Sequence, residues 1–313
     1  MSALTLIQST RPSVVCKTYR RSADGEIHKA AVAHVTEGTG RTVSVGDAEA
    51  MAALLREVTE SRNLVLCNGT FDGAGAVDFR LVAESTLAKV TGTSVGQAPG
   101  GVQTVEGQRV AARLKRGVAP SAWLLLDCDN PLGIPDDWRA MGIEDRVKLL
   151  EPVLQGISAC ERIELRSSSA RVHRPGEAPG PASHAWVRVS HPDLIETMRA
   201  ATRVAMVNNK LSFPSPRYSR TEPGKVIGYE PRTVVDLATW DRGRLVFCAR
   251  PEVAADTGLV VTDAAVEVVN AGAGAFNNGH FTIPVASDLA AYREATGRKL
   301  RIRHGATGIT TDE

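Results

Sequence analysis

Apolar positions along this chain recur with two spacings. In the segment 47–58, Met51, Leu54, Leu55 and Val58 fall on one face at helical spacing, and Asp47 stands where an N-cap belongs. A second helix is predicted over residues 143–150, with Pro152 placed to end or kink it. A third is predicted from Pro192 through Met206, its first turn carrying Asp193 and Glu196. Short apolar runs read as strands: residues 13–17, Leu64-Val65-Leu66-Cys67 (turned by Asn68-Gly69), Trp123-Leu124-Leu125-Leu126, Ile163-Glu164-Leu165, 184–189, Val234-Val235 and Leu245-Val246-Phe247. Gly- and Pro-rich stretches at 92–101, 174–183 and 272–279 read as loops or module boundaries. Strands and helices alternate without a strict βαβ rhythm, and no internal repeat occurs. The expected class is α+β with a mixed or largely antiparallel sheet.

One strand ends in chemistry. The run 123–126 leads directly into Asp127-Cys128-Asp129 and then the turn Asn130-Pro131-Leu132-Gly133. A strand alternates faces, so residues 127 and 129 point the same way. Two carboxylates thrust together from a buried strand repel each other and are costly to desolvate. A divalent cation removes that penalty, and hard oxygen ligands suit Mg²⁺ or Mn²⁺. The alternative is a solvated pair facing water at a strand end.

Bulk composition changes this picture little. The 313 residues suffice for one large domain or two ordinary ones. A net charge of +2 is too mild to imply a nucleic-acid partner, but its distribution is uneven. Arg109, Arg113, Lys115 and Arg116 lie in a stretch without an acid. Arg199, Arg203, Lys210, Arg217, Arg220 and Lys225 face only Glu222, and the tail carries Arg298, Lys299, Arg301 and Arg303. Such runs suit phosphate contacts, and solvated faces produce them too. The five cysteines (16, 67, 128, 160 and 248) are widely spaced with no C-x-x-C pair, which argues against a disulfide framework and against zinc. They read as buried thiols in a reducing cytosol. Neither a signal-peptide layout nor a membrane-length apolar run is present.

Several common chemistries have no motif here. There is no P-loop G-x-x-x-x-G-K-S/T, no G-x-S-x-G elbow and no H-E-x-x-H. Gly272 and Gly274 begin a dinucleotide-like pattern, but Asn277 stands where its third glycine belongs. Two further patterns are positive. Ser167, Ser168 and Ser169, flanked by Arg166 and Arg171, offer hydroxyl, N–H and guanidinium donors to a triphosphate. After a Pro/Gly-rich excursion, His184, Trp186 and Arg188 share a strand face. There a histidine can bond a phosphate oxygen as imidazolium or sit in the core. His173 reads as a solvated loop residue and His191 as a turn residue. The other pattern is Val235-Asp236, whose carboxylate could complete the metal site; Asp241, in a charged turn, reads as surface. Arg244 could ground a triphosphate or buttress the carboxylates.

In that order, these signals resemble the archaeo-eukaryotic primase (primase-polymerase, "prim-pol") superfamily, especially its phage and plasmid members. Leu124 to Asp129 matches its strand-ending D-x-D/E, Ala182-Ser183-His184 its small-x-His, and Val235-Asp236 its apolar-acid motif. The resemblance covers roughly residues 105–250, and the insertion before His184 departs from the pattern. It implies an N-terminal αβ module (1–104), an RNA-recognition-motif-like catalytic core (105–250) and a C-terminal segment (251–313) that is either an extension or the lead into a further domain. It further implies a cytoplasmic DNA primase in phage or plasmid replication. Asp127, Asp129 and Asp236 would hold two Mg²⁺ or Mn²⁺ ions. Ser167, Ser168, Ser169, His184 and Arg244 would bind a nucleoside triphosphate. Arg109, Arg113, Lys115 and Arg116 would bind a single-stranded DNA template, with a helicase in trans or fused. Two rivals stand beside it. A Toprim-like primase or nuclease would use the same D-x-D with Glu106 upstream. A non-catalytic RRM-like nucleic-acid-binding protein would need exposed aromatics for stacking, and aromatics make up only 4% of the chain.

Overall fold

A computed structural model describes residues 2–298 apart from 33, 73, 74, 76, 77, 220 and 223. Lys299, Arg301 and Arg303 of the basic tail, and Arg220, lie outside the described residues. The class is mixed α+β. A seven-stranded sheet runs in the order Leu245–Val246, Leu64–Cys67, Ala3–Arg11, Glu37–Ser44, Phe79–Val82, Gln108–Ala112, Val102–Val105. Its pairings are antiparallel except between Phe79–Val82 and Gln108–Ala112. A four-stranded antiparallel sheet runs Trp123–Asp127, His184–Arg188, Arg162–Leu165, Glu267–Val269.

Alternation of side chains packs the two sheets together. Trp123, Leu125, Ile163, Leu165 and Trp186 on one face of the small sheet meet Leu4, Leu6 and Leu66 of the large sheet. Between them lies the helix Ala48–Glu60, which contributes Met51, Leu54, Leu55 and Val58 as its spacing predicts. Asp47 caps it, accepting from the N–H of Ala50 at 2.8 Å. Leu124, Leu126, Ala185 and Val187 on the opposite face pack under the helices Ile143–Leu149 and Ile195–Asn208. Pro192 opens a short 3₁₀ turn, Pro192–Leu194, before the latter helix begins.

Two expected strands are corrected. Residues 13–17 form no strand; the N-terminal strand is Ala3–Arg11, inside the large sheet. Leu4 and Leu6 enter one core while Ile7 enters the other, so the strand is covered on both faces and shows no polar alternation. Val234 and Val235 are buried in a bend rather than a strand.

Sheet pairing also crosses the expected module boundaries. Residue 105 lies in the hairpin Val102–Val105/Gln108–Ala112 of the large sheet. Leu245–Val246 joins that sheet, and Glu267–Val269 completes the small one. Among the described residues no helix is long and apolar enough to cross a membrane.

Candidate active site

Asp127 closes the Trp123–Asp127 strand directly opposite His184, and His184 is in turn opposite Leu165. Three strands of the small sheet therefore end at one place. Alternation from Trp123 and Leu125 turns Asp127 toward the core between the two sheets. Its Oδ1 lies 3.3 Å from Nε2 of His184. That oxygen is fully buried and has no hydrogen-bond partner of good geometry. On the other side of the ring, Nδ1 of His184 is 3.8 Å from the Cys248 sulfur.

These contacts set the protonation states. Burial pushes the Asp127 carboxyl up, but the charge on His184, aided by Lys17 and Arg244, brings it below its ordinary value. Burial pushes His184 down, and the Asp127 carboxylate overrides it, raising the imidazole to about 10. Asp129 moves the other way: burial and the negative charge of Asp127 raise it, with a further push from Asp236. One carboxylate is held ionised and its neighbour is made reluctant to ionise.

This arrangement has a sign in pH. His184 is raised above its ordinary 6.5, so its stabilisation is complete below that pH and is lost as pH rises toward about 10. Asp127 is depressed below 3.8, so its stabilisation is present above that value and is lost as pH falls through its folded-state pKa. With chelator present, wild-type stability is expected to fall between pH 6.5 and 9 by up to ~1.4 kcal/mol per pH unit from His184. His184→Gln removes that slope. Urea unfolding of both proteins at the two pH values tests it; equal slopes would refute the assignment.

Lys17 is the residue that sequence reasoning missed. It follows buried Val15 and Cys16. Its Nζ donates to Oγ of Ser169 at 2.6 Å. Burial depresses its pKa, while Asp129 and Asp127 oppose that shift, so the ammonium belongs to the carboxylate cluster. The only sequence signal was a lysine ending an apolar run.

Asp236 arrives from a distant segment. Its N–H donates to the carbonyl of Asp127 at 2.8 Å. Thr239 Oγ1 and Trp240 Nε1 donate to the Leu125 carbonyl at 2.9 and 3.0 Å, fixing the turn against the strand. The Asp236 carboxylate caps that turn through Ala238 N–H at 2.9 Å. Asp129 and Asp236 line one cavity of about 400 Å³, with Arg203, Arg232, Arg298 and Tyr292 in its wall.

The remaining candidates divide. Ser167 and Ser168 are buried, because the turn formed by Ala170 N–H on Ser167 and Val172 N–H on Ser169 tucks them inward. Arg166 and Arg171 bond carbonyls of neighbouring segments, and Arg171 also pairs with Glu60. Arg244 is exposed, and its charge lowers the pKa of Asp127. His173 holds the carbonyl of Arg174, and the His191 N–H bonds Asn278. Acids from elsewhere in the sequence balance the 109–116 run: Lys115 pairs with Glu196 and Asp241, and Arg116 with Glu84. Arg113 bonds the Gly243 carbonyl, and Arg109 lies on the hairpin strand beside it. Asp241, read as surface, is a half-buried node joining Lys115 and Arg199.

Asp127 and Asp129 are the carboxyls that would hold a divalent cation: Asp127 is kept ionised beside His184, and Asp129 is pushed up by its neighbour's charge. Among the described residues, no three His, Cys, Asp or Glu side chains are grouped as a ready metal site. The Asp236 carboxylate is committed to its cap. The five cysteines are all buried free thiols. The chain matches no protein-family model, no curated protein and no solved structure.

Proposed function

We propose that this chain is a template-directed nucleotidyltransferase of prim-pol type, synthesising primers from nucleoside triphosphates on single-stranded DNA. The observation that carries the reading is the hydrogen bond from Asp236 N–H to Asp127 O, which joins two acidic segments more than 100 residues apart at one strand end. Sheet order supports it as well. The strands Trp123–Asp127, Arg162–Leu165 and His184–Arg188 pair first-third-second, and the helices after the first and third pack on one face. That is the pairing of a split βαβ, RRM-like sheet.

In this reading Asp127, Asp129 and Asp236 hold the metal ions. When bound, these activate the primer 3′-hydroxyl and neutralise the leaving pyrophosphate. His184 has protein groups at both ring nitrogens, so we assign it to orienting Asp127 and keeping it ionised, with phosphate binding falling to other cations. Lys17 and Arg244, whose charges act on Asp127, would meet a triphosphate there, with Ser169 at the Lys17 ammonium.

The Toprim reading lacks its glutamate. Glu106 occupies the turn of a hairpin in the other sheet, and the Asp127 strand has an antiparallel neighbour. A cysteine protease-like use of Cys248, His184 and Asp127 is disfavoured by the burial of Cys248 at 2% exposure. The test is incubation with single-stranded DNA, labelled ribo- or deoxyribonucleoside triphosphates and Mg²⁺ or Mn²⁺. Oligomer synthesis is expected; none with either nucleotide set and either ion would sink the proposal.

A further inference from the structure

The chain has four tyrosines, and the fold divides them unequally. Tyr19 and Tyr292 are 9% and 1% exposed, whereas Tyr218 and Tyr229 are 45% and 67% exposed. Both exposed rings belong to one two-stranded ribbon, Ser212–Tyr218 paired with Val226–Thr233. Register fixes the faces. Phe213 and Ser215 turn toward the body: Phe213 packs edge-on against Trp138 at 5.9 Å, and Ser215 Oγ donates to the Leu132 carbonyl at 2.9 Å. Pro214 and Pro216 alternate to the other face, where Pro231 stands opposite Pro214 and Tyr229 opposite Pro216; a bulge after Arg217 then shifts the register, so that Tyr218 pairs with Val226. Both tyrosines are thus exposed toward the outer end of this ribbon.

We propose that this ribbon is a stacking platform for single-stranded nucleic acid and leads the strand into the Asp129–Asp236 cavity. Three features select that occupant. Exposed aromatic rings offer sequence-tolerant stacking to unpaired bases, which a duplex keeps to itself. Pro214, Pro216 and Pro231 lack N–H groups, so the ribbon is poorly suited to pairing with another protein strand. Residues 212–233 carry four basic side chains against two acidic ones; Lys225 and Arg232 pair with those acids, Glu222 and Glu230, and the excess of two positive charges favours a phosphate backbone. The ribbon also reaches the chemistry: Glu230, Pro231, Arg232 and Thr233 at its base line the cavity that holds Asp129 and Asp236. The destination of the strand rests on the proposed function; the binding itself does not.

The test is fluorescence anisotropy of a labelled single-stranded DNA oligonucleotide, at low salt with chelator and without nucleotides. It compares wild type with the double variants Tyr218→Ala/Tyr229→Ala and Tyr218→Phe/Tyr229→Phe. The double alanine variant should bind about ten-fold or more weakly, with an unchanged melting temperature. The double phenylalanine variant should bind as wild type does. Wild-type affinity in the double alanine variant, or equal loss in the phenylalanine variant, would overturn the platform. So would loss of self-association or of a protein contact in the alanine variant while DNA affinity holds. Ribbon-dependent binding without synthesis under any metal would leave the platform standing and remove the polymerase; synthesis with ribbon-independent binding would do the reverse.

Discussion

Asp129→Ala is expected to abolish nucleotide incorporation while making the metal-free protein more resistant to denaturant. The carboxyl of Asp129 is raised by burial and by the charges of Asp127 and Asp236, so ionising it works against the fold. Removing it relieves that repulsion. The backbone keeps its anchor, since Arg146 bonds the Asp129 carbonyl, which alanine retains. On the proposed two-metal reading the catalytic loss follows from losing a ligand: forfeiting roughly 4 kcal/mol of charge stabilisation already slows a reaction ~10³-fold. Asp127→Asn makes the informative contrast. It also stops synthesis, but it strands His184 in the core without its counter-charge and should lower stability. Single-turnover incorporation and urea midpoints with chelator separate the two variants. Incorporation by Asp129→Ala within a few-fold of wild type would remove Asp129 from the catalytic set.

The sequence carried this site where local chemistry is self-announcing. Four consecutive apolar residues ending in Asp-x-Asp mark a buried strand that delivers charge, and the strand Trp123–Asp127 does so. The Asp47 cap and the Met51–Val58 stripe were readable because both are local patterns. Other features depend on how distant segments pack. Ala3–Arg11 is buried on both faces and loses the alternation that identifies half-buried strands. Lys17 enters the cluster only because the chain after that strand folds back across the small sheet's end, where Ser169 waits. The acid-free run 109–116 looked like a phosphate-binding surface because its counter-charges, Glu84, Glu196 and Asp241, are far away in sequence. The serines resembled a phosphate cradle in sequence, but a turn too short to predict buries two of the three. Tyr218 and Tyr229 carried no signal in the sequence; only the hairpin pairing brings both exposed rings onto one ribbon.

Arg146→Met should cost about 3–5 kcal/mol of stability and, at temperatures where the variant is folded, most of the activity. Arg146 is 2% exposed and sits on the helix Ile143–Leu149 under the small sheet. Its Nη1 donates to the carbonyls of Cys128 at 2.9 Å and Asp129 at 3.3 Å. Its Nη2 donates to the Trp138 carbonyl at 2.7 Å and to the Asn130 side chain. One planar fork thus ties the Asp129 loop to the segment that follows it. Methionine fills similar space but leaves these buried carbonyls without a donor, and each costs roughly 1–3 kcal/mol. Lysine keeps the charge but lacks the fork, so Arg146→Lys should recover only part of the loss. The activity deficit has a separate cause: Asp129 loses the anchor that sets its distance from Asp127 and Asp236. Urea midpoints for wild type, Arg146→Met and Arg146→Lys measure the first effect. Incorporation at about 10 °C, with each protein shown folded by circular dichroism, measures the second. A methionine variant within ~1 kcal/mol of wild type would mean that the loop holds itself, since a surface substitution typically does no more.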